Sequence, residues 1–498
     1  MNAGGIPTWL IPFSDKKSIQ DDGRINFRTQ DPDWLRAVQN YFSHLNEAIL
    51  PYLITRGGPI LLYAIENEYN WFEIFAGVDK AAWYEGGFER PVGQNIDPTQ
   101  YLAALRNFLQ ADGIDVPITT CPGDSKISGM GEVDGVVPMT NFYIAGETEK
   151  LAYDIITSMH DPSKYNGRYI NVPSGTTESE RRATRLVRTF FGGFDAYFAF
   201  NAAGMATFNR HNALVLDNSG LFSMLDPSVD RVIQAFVSPK VAYFHNVVDY
   251  YGPIGPGGTL REKYYQFRAR HLFFNAFDSL FAPLLHPLRS GYFQGADERM
   301  QVTDTRVGAR ENGTRVHYWF LHPNGTWFAQ LLNESTQPIL LAPGTVTIDG
   351  VSFPRYTHMT LPVSPYPGAV ASDTSRINAI DSPEELHYSH ISVGRLQLLS
   401  NLQLLFTTGE ILTYRNFNGT PLLVITVPQG ANGELVLEGS EESPQVVYAS
   451  DGIETPDCES HELALTWVSN NHPQIARIQS GNQNLLIWFL PTEQAGRW

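Results

Sequence analysis

Ile60-Leu61-Leu62-Tyr63-Ala64-Ile65-Glu66-Asn67-Glu68-Tyr69 is the stretch on which the fold turns. Ile60 to Ile65 is apolar without a break, as in a parallel-sheet strand buried on both faces. It ends in two carboxylates around an amide. Upstream, Asp31-Pro32 opens a helix with Leu35, Val38, Phe42, Leu45 and Ile49 on one stripe. Downstream, Asp97-Pro98 leads into a second helix, Thr99 to Asp112, carrying Leu102, Leu105, Phe108 and Leu109 and stopped by Gly113. Further strand-like runs are Val116 to Thr120, Gly135 to Met139, Arg168 to Val172 and Ala196 to Phe200. Helical segments near Glu147 to Ser158 and Thr177 to Phe191 separate the later ones.

This βαβα rhythm predicts an α/β fold with parallel strands. Polar residues gather where the runs end: Glu66-Asn67-Glu68, Thr119-Thr120, Asn141, Asn171 and Asn201. Polar groups at the carboxyl ends of successive parallel strands suit the active face of a (β/α)8 TIM-type barrel. About five strands are legible where a closed barrel uses eight, so a partial barrel is expected, with its first strands missing. From about residue 300 the pattern shortens and alternates, as in Val316 to Leu321, Thr345 to Ile348 and Leu422 to Val427. Asn324-Gly325, Asp349-Gly350 and Asn418-Gly419 punctuate it as turns. The division expected is a barrel-type domain over residues 1–290 and all-β sandwich or barrel modules over 291–498, with a break near 362–372.

Composition narrows the function classes. The chain has 498 residues, is 43% hydrophobic and only 17% charged, so it can bury large cores and is not a disordered polymer. A formal charge of −17 and the lack of a basic stripe argue against a nucleic-acid partner. No apolar run is long enough to span a bilayer; Leu280 to Leu288 is broken by Pro283 and Pro287. No membrane partner is therefore expected. The opening MNAGGIPTWL has no basic segment followed by an apolar one, so no signal peptide is visible. Cys121 and Cys458 form either one disulfide or two free thiols. N-x-Ser/Thr sequons begin at Asn312, Asn324, Asn333 and Asn418.

Glu66-Asn67-Glu68 is the strongest chemical signal. Glycoside hydrolysis needs one carboxyl held protonated and a second held ionised across the sugar. A glutamate at the rim of an apolar strand, among Tyr63, Tyr69, Trp71 and Phe72, suits the first role. The plainer reading of a strand-end carboxylate is a loop cap or the partner of an arginine. His387 and His390 make an H-x-x-H without an acidic partner and read as a solvated strand pair. No metal site, phosphate loop or nucleophile elbow is present, and no cofactor is expected.

These residues resemble the family 35 glycoside hydrolases, mostly exo-acting β-galactosidases, and most nearly their large fungal-type members. The resemblance rests on Gly4 to Leu10, Arg28-Thr29-x-Asp31-Pro32, Gly57-Gly58-Pro59-Ile60 running into Ile65 to Tyr69, Gly131 to Tyr143, Tyr251 to Ile254 with Lys263-Tyr264, Thr408 to Tyr414, and Ala495 to Trp498. It implies a retaining hydrolase acting on β-galactosides outside the cell. Glu68 would be the acid/base and Asn67 would bond the sugar near its 2-hydroxyl. Tyr197 would stand near the nucleophile, with Tyr251 in the same pocket. The family's nucleophile is a glutamate closing the seventh strand. Here Asn171 occupies that place, in Tyr169 to Gly175. An amide cannot attack the anomeric carbon. The nearest glutamates are Glu178 and Glu180. Thr177 and Glu180 read as a capping box, which leaves Glu178 as the displaced candidate. Two alternatives stand beside the hydrolase: an inactive member that binds sugar or serves as scaffold, and a piece of a longer enzyme. Which sugar is cleaved and the oligomeric state are not legible.

Overall fold

The computed structural model describes residues 28, 30–67, 69, 98–121, 133–140, 170–171, 205–208, 245–248, 253–254, 258–260, 262–281, 293–295, 299–307, 309–311, 314–316, 318–333, 337–362 and 388–497. The described residues fall into two units, one within 28–248 and the other within 253–497.

In the first unit, helix α1 (Pro32–Ile49) starts where its cap predicts. The Asp31 carboxylate accepts from the amides of Asp33 and Trp34, and Pro32 follows it as a first-turn proline. Helix α2 (Pro98–Ala111) closes on a Schellman pattern. The Ile114 amide donates to the Leu109 carbonyl at 3.0 Å and the Gly113 amide to that of Gln110 at 3.1 Å. Strands β1 (Tyr63–Asn67), β2 (Ile118–Cys121), β3 (Val136–Thr140) and β4 (Ile170–Asn171) lie in sequence order in one parallel sheet. Helix α2 joins β1 to β2. Leu102, Leu105 and Leu109 on α2 meet Tyr63, Ile65 and Ile118 of the sheet in one buried cluster, which the apolar stripe of α1 also covers.

Four parallel strands are thus described where the sequence suggested five. Ala196 to Phe200 lies outside the described residues, as do the expected helices near Glu147 to Ser158 and Thr177 to Phe191. An antiparallel pair not foreseen, β5 (Met205–Phe208) with β6 (His245–Val248), adds a separate small sheet. Strand β1 also corrects the expectation of burial on both faces. Tyr63 and Ile65 are buried, while Ala64 is exposed and Leu61, just before the strand, is 61% exposed.

The second unit is all-β apart from helix α3 (Glu262–Ala276) and the short α4 (Asp278–Phe281). An eight-stranded sheet and a five-stranded sheet share a core. Ile391, Leu404, Leu435 and Leu465 come from the larger sheet, and Ile411, Leu423, Ile478 and Phe489 from the smaller. Phe273, Phe277 and Phe281 from α3, α4 and the residue between them are part of the same core. The opposite face of the larger sheet is also buried. Trp327, Phe406 and Val436 pack there against Ile339, Val346, Phe353 and Leu361 of two small sheets. The expected strands at Val316 to Leu321, Thr345 to Ile348 and Leu422 to Val427 are present as Tyr318–Leu321, Val346–Ile348 and Thr420–Val427. Asp349-Gly350 and Asn418-Gly419 are two-residue hairpin turns, with all four residues at positive φ. Most of the Pro-rich 362–367 segment lies outside the described residues.

Candidate active site

The path into β1 begins with Gly57-Gly58-Pro59. A Cβ on Gly58 would stand 2.1 Å from the Tyr52 carbonyl, so only glycine allows this close approach. The Ile60 amide donates to Tyr52 and its carbonyl accepts from Ile54, which seats the chain before β1. The pairing of β1 with β2 then slips between Ala64 and Glu66. That β-bulge re-aims the side chains at the strand's end. Ile65 stays in the core, and the Glu66 side chain is 9% exposed.

Glu66 is held by an arginine 38 positions upstream. Arg28 donates from Nε to Oε1 at 2.8 Å and from Nη2 to Oε2 at 2.7 Å, a bidentate fork. The same Nη2 reaches the Asn67 carbonyl at 2.8 Å. Glu66 Oε2 also accepts from the Asn67 amide at 2.7 Å, and Oε1 from the Tyr101 hydroxyl of α2 at 3.3 Å. The Tyr69 hydroxyl donates to the Arg28 carbonyl at 2.8 Å, and its ring lies 5.4 Å under the guanidinium and 4.9 Å from the Tyr101 ring. Burial alone would lower the Arg28 pKa, but the bonds and charge of Glu66 outweigh it and hold the pKa above its usual value. Burial, reinforced by the Glu66 charge, raises that of Tyr101. Glu66 therefore takes the plainer role weighed from sequence: a strand-end carboxylate paired with an arginine.

The other sequence candidates divide cleanly. Asn67 closes β1 with its side chain exposed. Asn171 closes β4, its backbone paired with Thr140. Asn67, Cys121, Thr140 and Asn171 are thus the last residues of four adjacent parallel strands, on one edge of the sheet. Glu68, Glu178, Tyr197 and Tyr251 lie outside the described residues. Sequence reading missed the role of Arg28. The residue was quoted within a motif, but nothing in a separation of 38 positions links it to Glu66.

The H-x-x-H reading needs correction. His390 is 3% exposed, not solvated, because its strand lies in the sheet that is buried on both faces; His387 is outside the described residues. Cys458 is a free thiol. Asn333 is fully buried and donates to the carbonyls of Gln337 and Leu361, so its sequon is structural. Among the described residues no group of three His, Cys, Asp or Glu side chains could hold a metal ion, and no helix is long and apolar enough to cross a membrane.

Known proteins resemble this chain in the same places. The family model for glycosyl hydrolases family 35 matches residues 1–94, and that for β-galactosidase domain 2 matches residues 388–498. A probable β-galactosidase B of Pyrenophora tritici-repentis is 23% identical over 461 residues, covering 88% of this chain and 39% of that protein. One from Talaromyces marneffei is 24% identical over 472 residues, covering 89% of this chain and 39% of its own length. Human β-galactosidase-1-like protein 2 is 39% identical over 151 residues, 30% of this chain and 19% of that protein. The chain spans well under half the length of these curated relatives. Over residues 1–94 the chain is similar to glycosyl hydrolases family 35, over residues 388–498 to β-galactosidase domain 2, and along most of its length to the fungal probable β-galactosidases B.

Proposed function

We propose that this protein is a glycoside hydrolase that releases terminal β-linked galactose with retention of configuration, and that Glu68 is its acid/base. One observation carries the assignment of the acid. Of the two carboxylates in Glu66-Asn67-Glu68, Glu66 is engaged by Arg28, Tyr101 and the Asn67 amide. Both of its carboxylate oxygens are taken up by these donors, which leaves neither aimed at a substrate oxygen. The proton-transfer role then falls on Glu68, next to the exposed amide of Asn67 that can meet a sugar hydroxyl. The four-stranded parallel sheet supports reading this unit as part of a (β/α)8 barrel, with the site on the edge where its strands end. Galactose is taken from the names of the relatives.

In the reaction, Glu68 donates its proton to the glycosidic oxygen as the bond to the anomeric carbon breaks. A second carboxylate forms the glycosyl-enzyme. Glu68 then takes a proton from the water that hydrolyses it. Asn171 cannot act as that nucleophile, and Glu178 is the carboxylate assigned to the role. Tyr197 and Tyr251 are assigned to the walls of the pocket. Retention requires the two carboxyl groups about 5 to 5.5 Å apart. The test is hydrolysis of a panel of aryl β-glycosides by the purified chain, with the first-formed anomer read by NMR. Cleavage of the β-galactoside with β-galactose as first product is expected. A folded protein that cleaves none of the panel would instead support a sugar-binding scaffold.

A further inference from the structure

We propose that the first unit binds a hard, oxygen-seeking metal cation where α1, α2 and the start of β1 meet, held by Asp112, Asn46 and Tyr63. The site lies at the amino end of β1, away from the edge on which its strands end, and it does not depend on the hydrolase reading.

Ser43 and Asn46 stand one turn apart on α1, Asp112 directly follows α2, and Tyr63 opens β1. The Asn46 side-chain nitrogen donates to Asp112 Oδ2 at 2.8 Å. The Ser43 hydroxyl donates to the two oxygens of the same carboxylate at 3.3 and 3.2 Å. Phe42, beside Ser43, meets the Tyr63 ring edge-on at 6.3 Å, which seats β1 under α1. Burial first, then the neighbouring Tyr41 and Asp112, push the Tyr63 hydroxyl up to about 12, so it is a neutral oxygen at pH 7. Asp112 is thus near enough for its charge to act on that hydroxyl.

Two independent observations ask for a positive occupant. One is a pair of buried oxygens. Asn46 is 0% exposed and Tyr63 8%, yet neither Asn46 Oδ1 nor the Tyr63 hydroxyl has a hydrogen-bond partner among the described residues. Buried polar atoms left without a partner are costly and rare. The Asn46 oxygen shares a planar amide with the nitrogen bonded to Asp112, so it lies beside that carboxylate.

The other observation is charge. Asp112 is half-buried, and among the described residues its carboxylate bonds only Ser43 and Asn46, with no ion pair. It sits where α2 ends, against Asn46 in the last turn of α1, and neither helix has a basic residue in its last turn. Helix carboxyl ends are partly negative, so a carboxylate there needs a counter-charge. Arg56 comes near but donates to the Gly113 carbonyl, at 3.2 Å. A water molecule would satisfy the two oxygens and leave the charge unmet; a cation answers both. Carboxylate, amide and hydroxyl oxygens suit sodium, potassium or calcium rather than a metal that prefers nitrogen or sulfur, with waters completing the shell. One carboxylate among neutral oxygens makes a weak site.

The test is hydrogen–deuterium exchange of the full chain over residues 42–50 and 108–116. The protein is first exchanged into a buffer whose only cation is N-methylglucammonium, then titrated separately with NaCl, KCl and CaCl2 at constant ionic strength. One of the three cations should slow exchange in both segments and saturate, with about 10-fold protection at ten times its Kd. Asp112→Asn keeps an acceptor for Asn46 and removes the charge, and should abolish the protection. Tyr63→Phe removes only the orphan hydroxyl and should weaken the cation's affinity. Circular dichroism controls for folding, and should Asp112→Asn fail to fold, Tyr63→Phe alone decides. Protection by none of the three cations, or protection with parental affinity in either folded variant, would overturn the proposal.

Discussion

At the scale of single residues, two buried ionisable groups in the second unit make stability depend on chemistry that apolar burial does not supply. Glu434 has no exposed surface and accepts from the amides of Arg355, Tyr356 and Thr357 at 2.7 to 3.0 Å, and from the Thr357 hydroxyl at 3.2 Å. Its carboxylate fills a nest of backbone donors. Arg355, at the start of that loop, pairs with Glu462 at 2.9 Å and covers the Phe406 ring. Glu434→Ala strands those donors in the interior and should cost about 3 kcal/mol or more, read as a fall in Tm of about 6 to 12 °C. His390 is the second group. Burial pushes its pKa down to about 4; the Glu410 charge opposes that shift and the Arg270 charge adds to it. Arg270 and Glu410 are themselves paired at 2.7 Å. The unfolded chain binds a proton at His390 below about pH 6.5 and the folded chain does not until about pH 4. Stability should therefore fall as pH drops through that window, by roughly 3 kcal/mol in all. Urea unfolding at pH 7 and pH 4.5 measures this, and His390→Phe should flatten the slope by one proton. Neither group could be singled out from the sequence. The donors to Glu434 lie almost 80 positions upstream, and an H-x-x-H in a short alternating segment looks solvated until its sheet is known to be covered on both sides.

At the scale of elements, what the sequence showed was local chemistry. Helices α1 and α2 were legible to within a residue or two because their caps are short-range: Asp31-Pro32 at one start and Gly113 at one end. The two hairpin turns were legible for the same reason. Sheet pairing was not. The strand Trp327–Asn333 is buried along its whole length and pairs with Tyr388–Leu399, and Thr420–Val427 runs parallel to Gln483–Pro491 within a largely antiparallel unit. Continuous apolar runs therefore signal burial on both faces in either kind of sheet, and β1, the run that looked most buried, alternates. One contact between strands has a sharp consequence. A Cβ on Gly433 would lie 2.2 Å from the Trp467 indole, across the Glu462–Val468 pairing. Trp467 in turn packs 4.1 Å from the Phe489 ring. Gly433→Ala should push the indole out of that contact, destabilising the unit by about 1 to 3 kcal/mol and quenching or shifting tryptophan fluorescence in the native state. A native spectrum and unchanged Tm would show that the indole has room to move.

At the scale of the whole molecule, the rhythm of apolar runs was enough to set a helix-and-parallel-strand part apart from an all-β part. The kind of chemistry was legible only as far as Glu66-Asn67-Glu68. In the structure Glu66 is engaged by Arg28, and the comparisons find likeness to glycosyl hydrolases family 35 over residues 1–94. A nucleophile for the proposed reaction is not legible, because the strand on which the resemblance expects it ends in Asn171 and no periodicity points to a replacement. The account stands on proton donation by Glu68, and leaving-group dependence reads that step directly. The measurement is hydrolysis of two aryl β-galactosides, one with a good leaving group and one with a poor one, by the unmodified chain and by Glu68→Gln. The account expects a loss of about 100-fold or more on the poor leaving group and a much smaller loss on the good one, which departs without a proton. Equal rates for both proteins on both substrates would contradict it.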